Sequence, residues 1–312
     1  MRALALGLVA SITGCSCKGE TGATSRLAAS PAPMAKAPAG GFCTHCSAPT
    51  TPGSLFNDAI REASGIVASA LHPGLFYVHD DSGGRARFYA IDESGGDEGS
   101  FDVLGATNVD WEDAARGPCG ETSCLYFGDI GGGKSKERHD VVIYRVHEPA
   151  EVGPGPHSVT SEAMRFAYLD GAFDAETLLV HPNTGAITVV TKVKSGSSSI
   201  YEAVPPFSSD KITPLAKVGE VAATRGSPRF TGGAVHPAGL GVLLRTYTDV
   251  FFYAMQPEQS VGRALSGAPC VLVGPKEEHG EAIAWLPSGD GFVTVSEGEN
   301  APVWVAQCAT TP

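Results

Sequence analysis

Five short stretches of this 312-residue chain open in the same way. A small, acidic or hydroxyl residue leads into apolar positions. In four of the stretches a proline stands six residues on: Glu112 to Pro118, Glu176 to Pro182, Thr231 to Pro237 and Glu281 to Pro287. A looser copy begins at Ser64, with three extra residues before its proline. The starts lie 48, 64, 55 and 50 residues apart. Self-similarity at such a period means repeated units, each burying its apolar face against the next.

Behind each start come strand-like runs bounded by Gly, Pro, Asp or Ser. IVAS, LFYVHD, RFYAID and FDVLG follow the first start, and WEDAA, LYFGDI, VVIYRV and MRFAYL the second. The third and fourth units also show four runs, and the last shows three: EAIAWL, GFVTVSE and VWVAQC. Four-stranded units arranged about an axis make a β-propeller. The expected fold is therefore all-β, a single five-bladed propeller over residues 54–312. Six blades is the alternative, if the long interval after Glu112 hides a degenerate unit. The last unit lacks one strand, and residues around Ser54–Ile60 can supply it. That would close the ring and cover two open sheet edges. No stretch sustains a 3.6-residue period, so long helices are not expected.

Residues 1–14 carry one cation, an apolar run and then small residues, the pattern of a secretory signal. Ile12-Thr13-Gly14-Cys15 resembles the bacterial lipobox, which implies cleavage before Cys15, a lipid on its sulfur and anchoring in the cell envelope, with Ser16 pointing to the outer membrane. Residues 15–53 are rich in Ala, Pro, Gly, Ser and Thr and read as a flexible tether. Export permits disulfides. Setting Cys15 aside leaves seven of the eight cysteines, so at least one has no partner within the chain. Cys119 and Cys124 flank a short turn and can clip it. Cys270 and Cys308 each lie beside a late strand and can pair. Cys43-Thr44-His45-Cys46 matches CxxC, without the βαβ context of a redox motif or enough ligands for zinc, so a structural disulfide in the tether is the expected reading. The net charge of -12 argues against nucleic acid and against direct binding to an anionic membrane.

In a propeller the first strand of each blade lines the axis, so residues at its start converge on one end of the channel. Those positions hold Ser64, Glu112, Glu176, Thr231 and Glu281. The second strands end in Asp80-Asp81, Asp129, Lys192, Arg245-Thr246 and Glu297, with Tyr247 just beyond. Asp110 and Asp113 flank Glu112. So many carboxylates cannot all ionise in a confined mouth without a compensating charge. Ca²⁺, which takes about six to eight oxygens, is one compensation; Asp110, Glu112, Asp113, Asp129, Glu176 and Glu281 are its candidate ligands. Direct pairing with Lys192 and Arg245 is the other. Ser64, Asp80, Asp81, Lys192, Thr231, Arg245, Tyr247 and Glu297 are the candidate contacts for a ligand.

Several segments together resemble a family of exported bacterial WD40-like β-propeller lipoproteins. They include Glu62-Ala-Ser-Gly-Ile66, His79-Asp-Asp-Ser-Gly83, Asn108-Val-Asp-Trp-Glu-Asp-Ala114 and Gly128-Asp-Ile-Gly131. Further matches are Asp174-Ala-Glu-Thr-Leu-Leu179, Thr191-Lys192, Leu244-Arg-Thr-Tyr-Thr248, Gly280-Glu-Ala-Ile283 and Ser296-Glu-Gly298. The chain departs from that pattern at Asp80, where Asn is usual, and at Gly132-Gly133, where Asp-Asn is usual. More distantly, the arrangement is similar to the senescence-marker/gluconolactonase propellers and the propeller phytases, in which carboxylates at the channel mouth hold metal.

Gly128–Ser135 fits GxxxxGK[ST], but that loop requires a helix directly after the serine, and an alternating strand follows instead. A Gly-rich turn is the plainer reading. His181 and His236, each before a repeat proline, read as turn residues, and Asp92–Glu98 as an acidic hairpin turn. Two functions are consistent with the pattern. One is an envelope-anchored propeller that binds a small ligand at an acidic mouth, with Ca²⁺, and hydrolyses an ester, lactone or phosphate if it is an enzyme. The other is a non-enzymatic module for protein or glycan partners, its acids forming a structural ion-paired plug.

Overall fold

The strands of this chain are mostly continuous apolar runs, the pattern of sheets covered on both faces. The structure, a computed structural model, describes residues 46–120, 122–132, 137–277 and 279–308. The leader, Cys15, Cys43 and His45 lie outside the described residues, as do Gly133–Lys136 of the Gly-rich turn.

A short strand, β1 (Thr50–Ser54), precedes four four-stranded antiparallel meanders. The first comprises β2 (Ala63–Ala68), β3 (Leu75–Asp80), β4 (Arg87–Asp92) and β5 (Asp97–Leu104). The second is β6 (Trp111–Cys119), β7 (Thr122–Asp129), β8 (Asp140–His147) and β9 (Pro156–Tyr168). The third is β10 (Ala175–Val180), β11 (Ile187–Thr191), β12 (Ser198–Ala203) and β13 (Ile212–Val221). The fourth is β14 (Phe230–Val235), β15 (Gly241–Thr246), β16 (Val250–Ala254) and, after the one-turn helix α1 (Val261–Leu265), β17 (Cys270–Leu272). A final sheet runs β18 (Gly280–Trp285), β19 (Gly291–Ser296) and β20 (Pro302–Gln307), with β1 at its edge. The 64-residue interval after Glu112 holds β6 to β9 and no further meander among the described residues; much of its length is β9, which has 13 residues.

Every sheet is apolar on both faces because another sheet lies against each. One core cluster joins the first and second meanders through Tyr77, Phe88, Phe101, Trp111 and Phe127. Equivalent clusters join the second to the third, the third to the fourth and the fourth to the final sheet. A fifth joins the final sheet back to the first, pairing Ile66, Phe76 and Val78 with Val293, Val295 and Val303. The first strands touch in the same order: β2 meets β6, β6 meets β10, β10 meets β14, β14 meets β18, and β18 meets β2. Burying one such Phe, Val or Ile is worth about 1.5–3 kcal/mol, so the contacts between sheets carry most of the stability. The long β9 adds a hydrogen-bonded link, pairing in parallel with β5 at one end and with β13 at the other.

Two expectations are corrected. The strand that completes the last sheet is Thr50–Ser54, not Ser54–Ile60, so the ordered body begins earlier than residue 54. β1 lies on a sheet edge, where Pro52 costs no ladder bond. Leu55 and Ile60 instead drop into the core between the first and last sheets. The second correction concerns the disulfides: Cys308 bonds to Cys46, not to Cys270, so Cys46 does not bond to Cys43 within the tether. β1 runs antiparallel to β20 and brings Cys46 opposite Cys308, while Cys270 is free. Cys119 and Cys124 do form a disulfide across their turn.

The Cys46–Cys308 bond spans a sequence separation of 262, against 5 for Cys119–Cys124. Loop-closure entropy grows with span. Cys308→Ser is therefore expected to cost about 2–5 kcal/mol in denaturant unfolding, and Cys124→Ser clearly less.

Candidate functional site

In all five first strands the ladder to the second strand skips one residue. The skipped residues are Ser64, Glu112, Glu176, Thr231 and Glu281, the five repeat starts. A bulge breaks the in–out alternation and re-aims the extra side chain. The repeat therefore encodes a backbone irregularity as well as a residue type.

Two of the five tie neighbouring first strands together. Ser64 Oγ donates to the Glu112 carbonyl at 2.6 Å, and Thr231 Oγ1 to the Gly280 carbonyl at 2.7 Å. Asp113, directly after the second bulge, is wholly buried. It accepts the Ala114 N–H at 2.8 Å, the Leu178 N–H at 2.9 Å and the Gly233 N–H at 3.2 Å, and so links β6 to β10 and β14. Burial pushes its carboxyl well above the usual range, and the three N–H groups oppose that rise. Asp113 is thus a strand tie and belongs to neither acidic cluster described next.

The three glutamates at the bulges are each only 6% exposed. Oxygens of Asp81, Asp110 and Glu112 lie within 4.8 Å of one another, and so do oxygens of Glu112, Asp174 and Glu176. Glu112 is common to both triads. Gly131 faces them: a Cβ there would run into Glu112 Oε1 and Asp110 Oδ2, so a larger residue would push both carboxylates aside. The Gly132 N–H holds Asp174 at 2.8 Å. Asp81 Oδ1 and Glu176 Oε2 are buried with no hydrogen-bond partner.

Burial raises Glu112 and Glu176 well above the carboxylate range. For Glu112 the neighbouring Glu176, Asp81 and Asp110 add to the rise. Burial, then Asp110, pushes Asp81 up to about 7. Glu281 rises to about 8, mainly through burial, with Lys192 opposing. Asp174 is raised by burial as well. Among the described residues one ammonium faces this group. Lys192 ion-pairs with Glu176 and stands 5.2 Å from the centre of the half-buried Tyr247 ring. Burial weighs against its charge, yet Glu176 holds its pKa above the lysine range.

The other sequence candidates have different surroundings. Asp129 pairs with Arg138 at 2.6 Å and accepts the N–H groups of Val109 and Asp110, shaping the loop that carries Asp110. Asp80 accepts the N–H groups of Arg61 and Glu62, both at 3.1 Å. Arg245 is engaged by Glu277 at 2.8 Å, with both side chains 2% exposed, and also donates to the Ala282 carbonyl. Glu297 is exposed. His181 and His236 accept backbone N–H groups within their turns. Sequence reasoning passed over Asp174 as a ligand. The signal was present: Asp110-Trp-Glu112 and Asp174-Ala-Glu176 repeat the same Asp-x-Glu spacing in successive units.

Two predictions follow from this electrostatic arrangement. Carboxyls with raised folded pKa values bind protons more tightly folded than unfolded, so stability falls as pH rises through the window between. In chelator, the melting temperature should fall between about pH 4.5 and 8, and Glu281→Gln should flatten that fall. Asp113→Ala leaves the Leu178 and Gly233 N–H groups without an acceptor, each costing about 1–3 kcal/mol. Denaturant unfolding should show a loss of about 2–6 kcal/mol, with a smaller loss for Asp113→Asn, which keeps one acceptor.

No protein-family model matches this chain and no curated protein does; its function has to be read from the side chains themselves.

Proposed function

We propose that this chain is a five-bladed β-propeller that binds Ca²⁺ at the acidic end of its axial channel and holds a small anionic ligand there. The five sheets, their cores in cyclic order and the contact of β18 with β2 support the ring. The resemblance of the Asn108–Ala114 and Gly128–Gly131 segments to exported bacterial propellers agrees with it. On the same reading the leader and Cys15 direct the protein to the envelope and anchor it by lipid.

The observation that carries the metal reading is the pair of carboxylate triads sharing Glu112, with buried, unpartnered oxygens on Asp81 and Glu176. Carboxylate oxygens at this density suit a hard cation that takes many oxygen ligands. The ion would supply charge compensation and polarise a ligand oxygen. Lys192 and Tyr247 beside it would orient the ligand, Lys192 by charge and Tyr247 by its ring and hydroxyl. If the ligand is hydrolysed, Lys192 is the group placed to stabilise developing negative charge.

The test is a thermal titration with Ca²⁺. Binding to the native state alone stabilises by about 2.7 kcal/mol at a hundredfold excess over Kd. Glu112→Gln, which alters both triads, should abolish the shift, and Glu297→Gln should keep it. A second reading, the structural plug of an interaction module, is favoured by the Lys192–Glu176 and Arg245–Glu277 pairs. It requires that Ca²⁺ leave the melting temperature unchanged and that Lys192→Met destabilise the chain.

A further inference from the structure

The far ends of the same first strands line an open pocket of about 360 Å³. All five contribute to its wall: Ala68 from β2, Ala115 and Arg116 from β6, Val180 from β10, Val235 from β14 and Trp285 from β18. Pro118, Pro182 and Pro237, which close the repeat signature, also line it. The signature thus places its acids at one end of the first strands and its prolines at the other. The proline stands six residues after the acid, roughly 20 Å along a strand at about 3.3 Å per residue.

The wall is built from small side chains. Ala68, Ala70, Ala114, Ala115, Ala234 and Ala284 stand where larger apolar residues would close the space. Arg116 is the one charged residue in the wall among the described residues. It makes no ion pair among them, and its one hydrogen bond is a long 3.4 Å contact from Nη1 to the Ala68 carbonyl. Glu148 acts on it through space; its Oε1 is held by Ser69 Oγ and by the Ala70 and Leu71 N–H groups at 2.9 and 3.1 Å, while its Oε2 is buried and makes no hydrogen bond to Arg116. A guanidinium fork with spare donors matches a carboxylate in two-pronged fashion. Small-molecule sites are typically apolar cavities of about 300–1,000 Å³ with a few placed polar groups.

We propose that this pocket is a second binding site, for a small organic carboxylate with an apolar body. The carboxylate sits on Arg116, and the body lies against the alanines, Val180, Val235 and Trp285. The chemistry differs from that of the acidic end in sign and in polarity, and the site does not depend on Ca²⁺.

The test is calorimetric titration of the whole chain with hexanoate, hexanol and acetate. Hexanoate should bind saturably, and at least about tenfold tighter than hexanol, the gain expected from a charged hydrogen bond. Acetate should bind more weakly than hexanoate because it lacks the apolar body. Arg116→Met keeps the aliphatic stem and removes the fork; it should weaken hexanoate at least about tenfold and leave hexanol unchanged. Glu112→Gln should leave hexanoate binding intact. The wild-type comparison of hexanoate with hexanol stands even if the variant fails to fold. The proposal is overturned if hexanoate shows no saturable binding at millimolar concentration, if hexanol binds equally well, or if loss of binding follows Glu112 and not Arg116.

Discussion

A carboxyl group shut off from water holds the centre of this molecule. Asp113 accepts N–H groups from its own strand, from β10 and from β14, and so bonds across strands that a sheet ladder never joins. Its position depends on the bulge one residue earlier. Because Glu112 is the extra residue in β6, the two adjacent acids escape the usual alternation. One joins the acidic triads and the other becomes a tie between first strands. The same bulge recurs in the other four first strands, where Ser64 and Thr231 serve as further ties and Glu176 and Glu281 add to the acids.

The electrostatics of that end follow from how the cations are spent. Arg138 is committed to Asp129, and Arg245 to Glu277. Both pairs position backbone. Among the described residues Lys192 forms the ion pair within the clusters, and it answers Glu176. Burial pushes the Asp81 and Glu281 carboxyls up toward neutral pH, which favours their protonated forms. A divalent cation would satisfy the same deficit without protonation. The two responses compete, so the pH of the surroundings and the availability of metal act on one set of oxygens.

At the other end the logic is reversed. There the walls are alanine, valine and proline, and a single guanidinium stands among them. The first strands are short, so the two ends are close, yet one gathers negative charge and the other presents positive charge in an apolar setting. Small residues on the first strands serve both ends: they let neighbouring first strands approach one another and still leave space between side chains.

Much of this was legible in the chain itself. The repeat starts marked the first strands, and the runs behind them, four in the first four units and three in the last, marked the strands that follow, because strands packed on both faces must be apolar throughout. The acids at the starts marked one end of the first strands. The Asp-x-Glu pairs at Asp110 and Asp174 were there to be read. The tertiary structure alone decided the rest. Whether Thr50–Ser54 or Ser54–Ile60 completed the last sheet turned on packing, since both segments are short and only the second carries core side chains. Cys46 rather than Cys270 bonds Cys308 because strand pairing sets the distance between residues far apart in sequence. Asp113 and Asp129 read as metal ligands and Arg245 as a ligand contact, but backbone N–H groups hold Asp113, and Arg138 and Glu277 engage the other two. The sequence determined the unit and its repetition, since those rest on local pattern; the roles of individual charges emerged only where separate units met, because a charge takes its function from the neighbours that surround it.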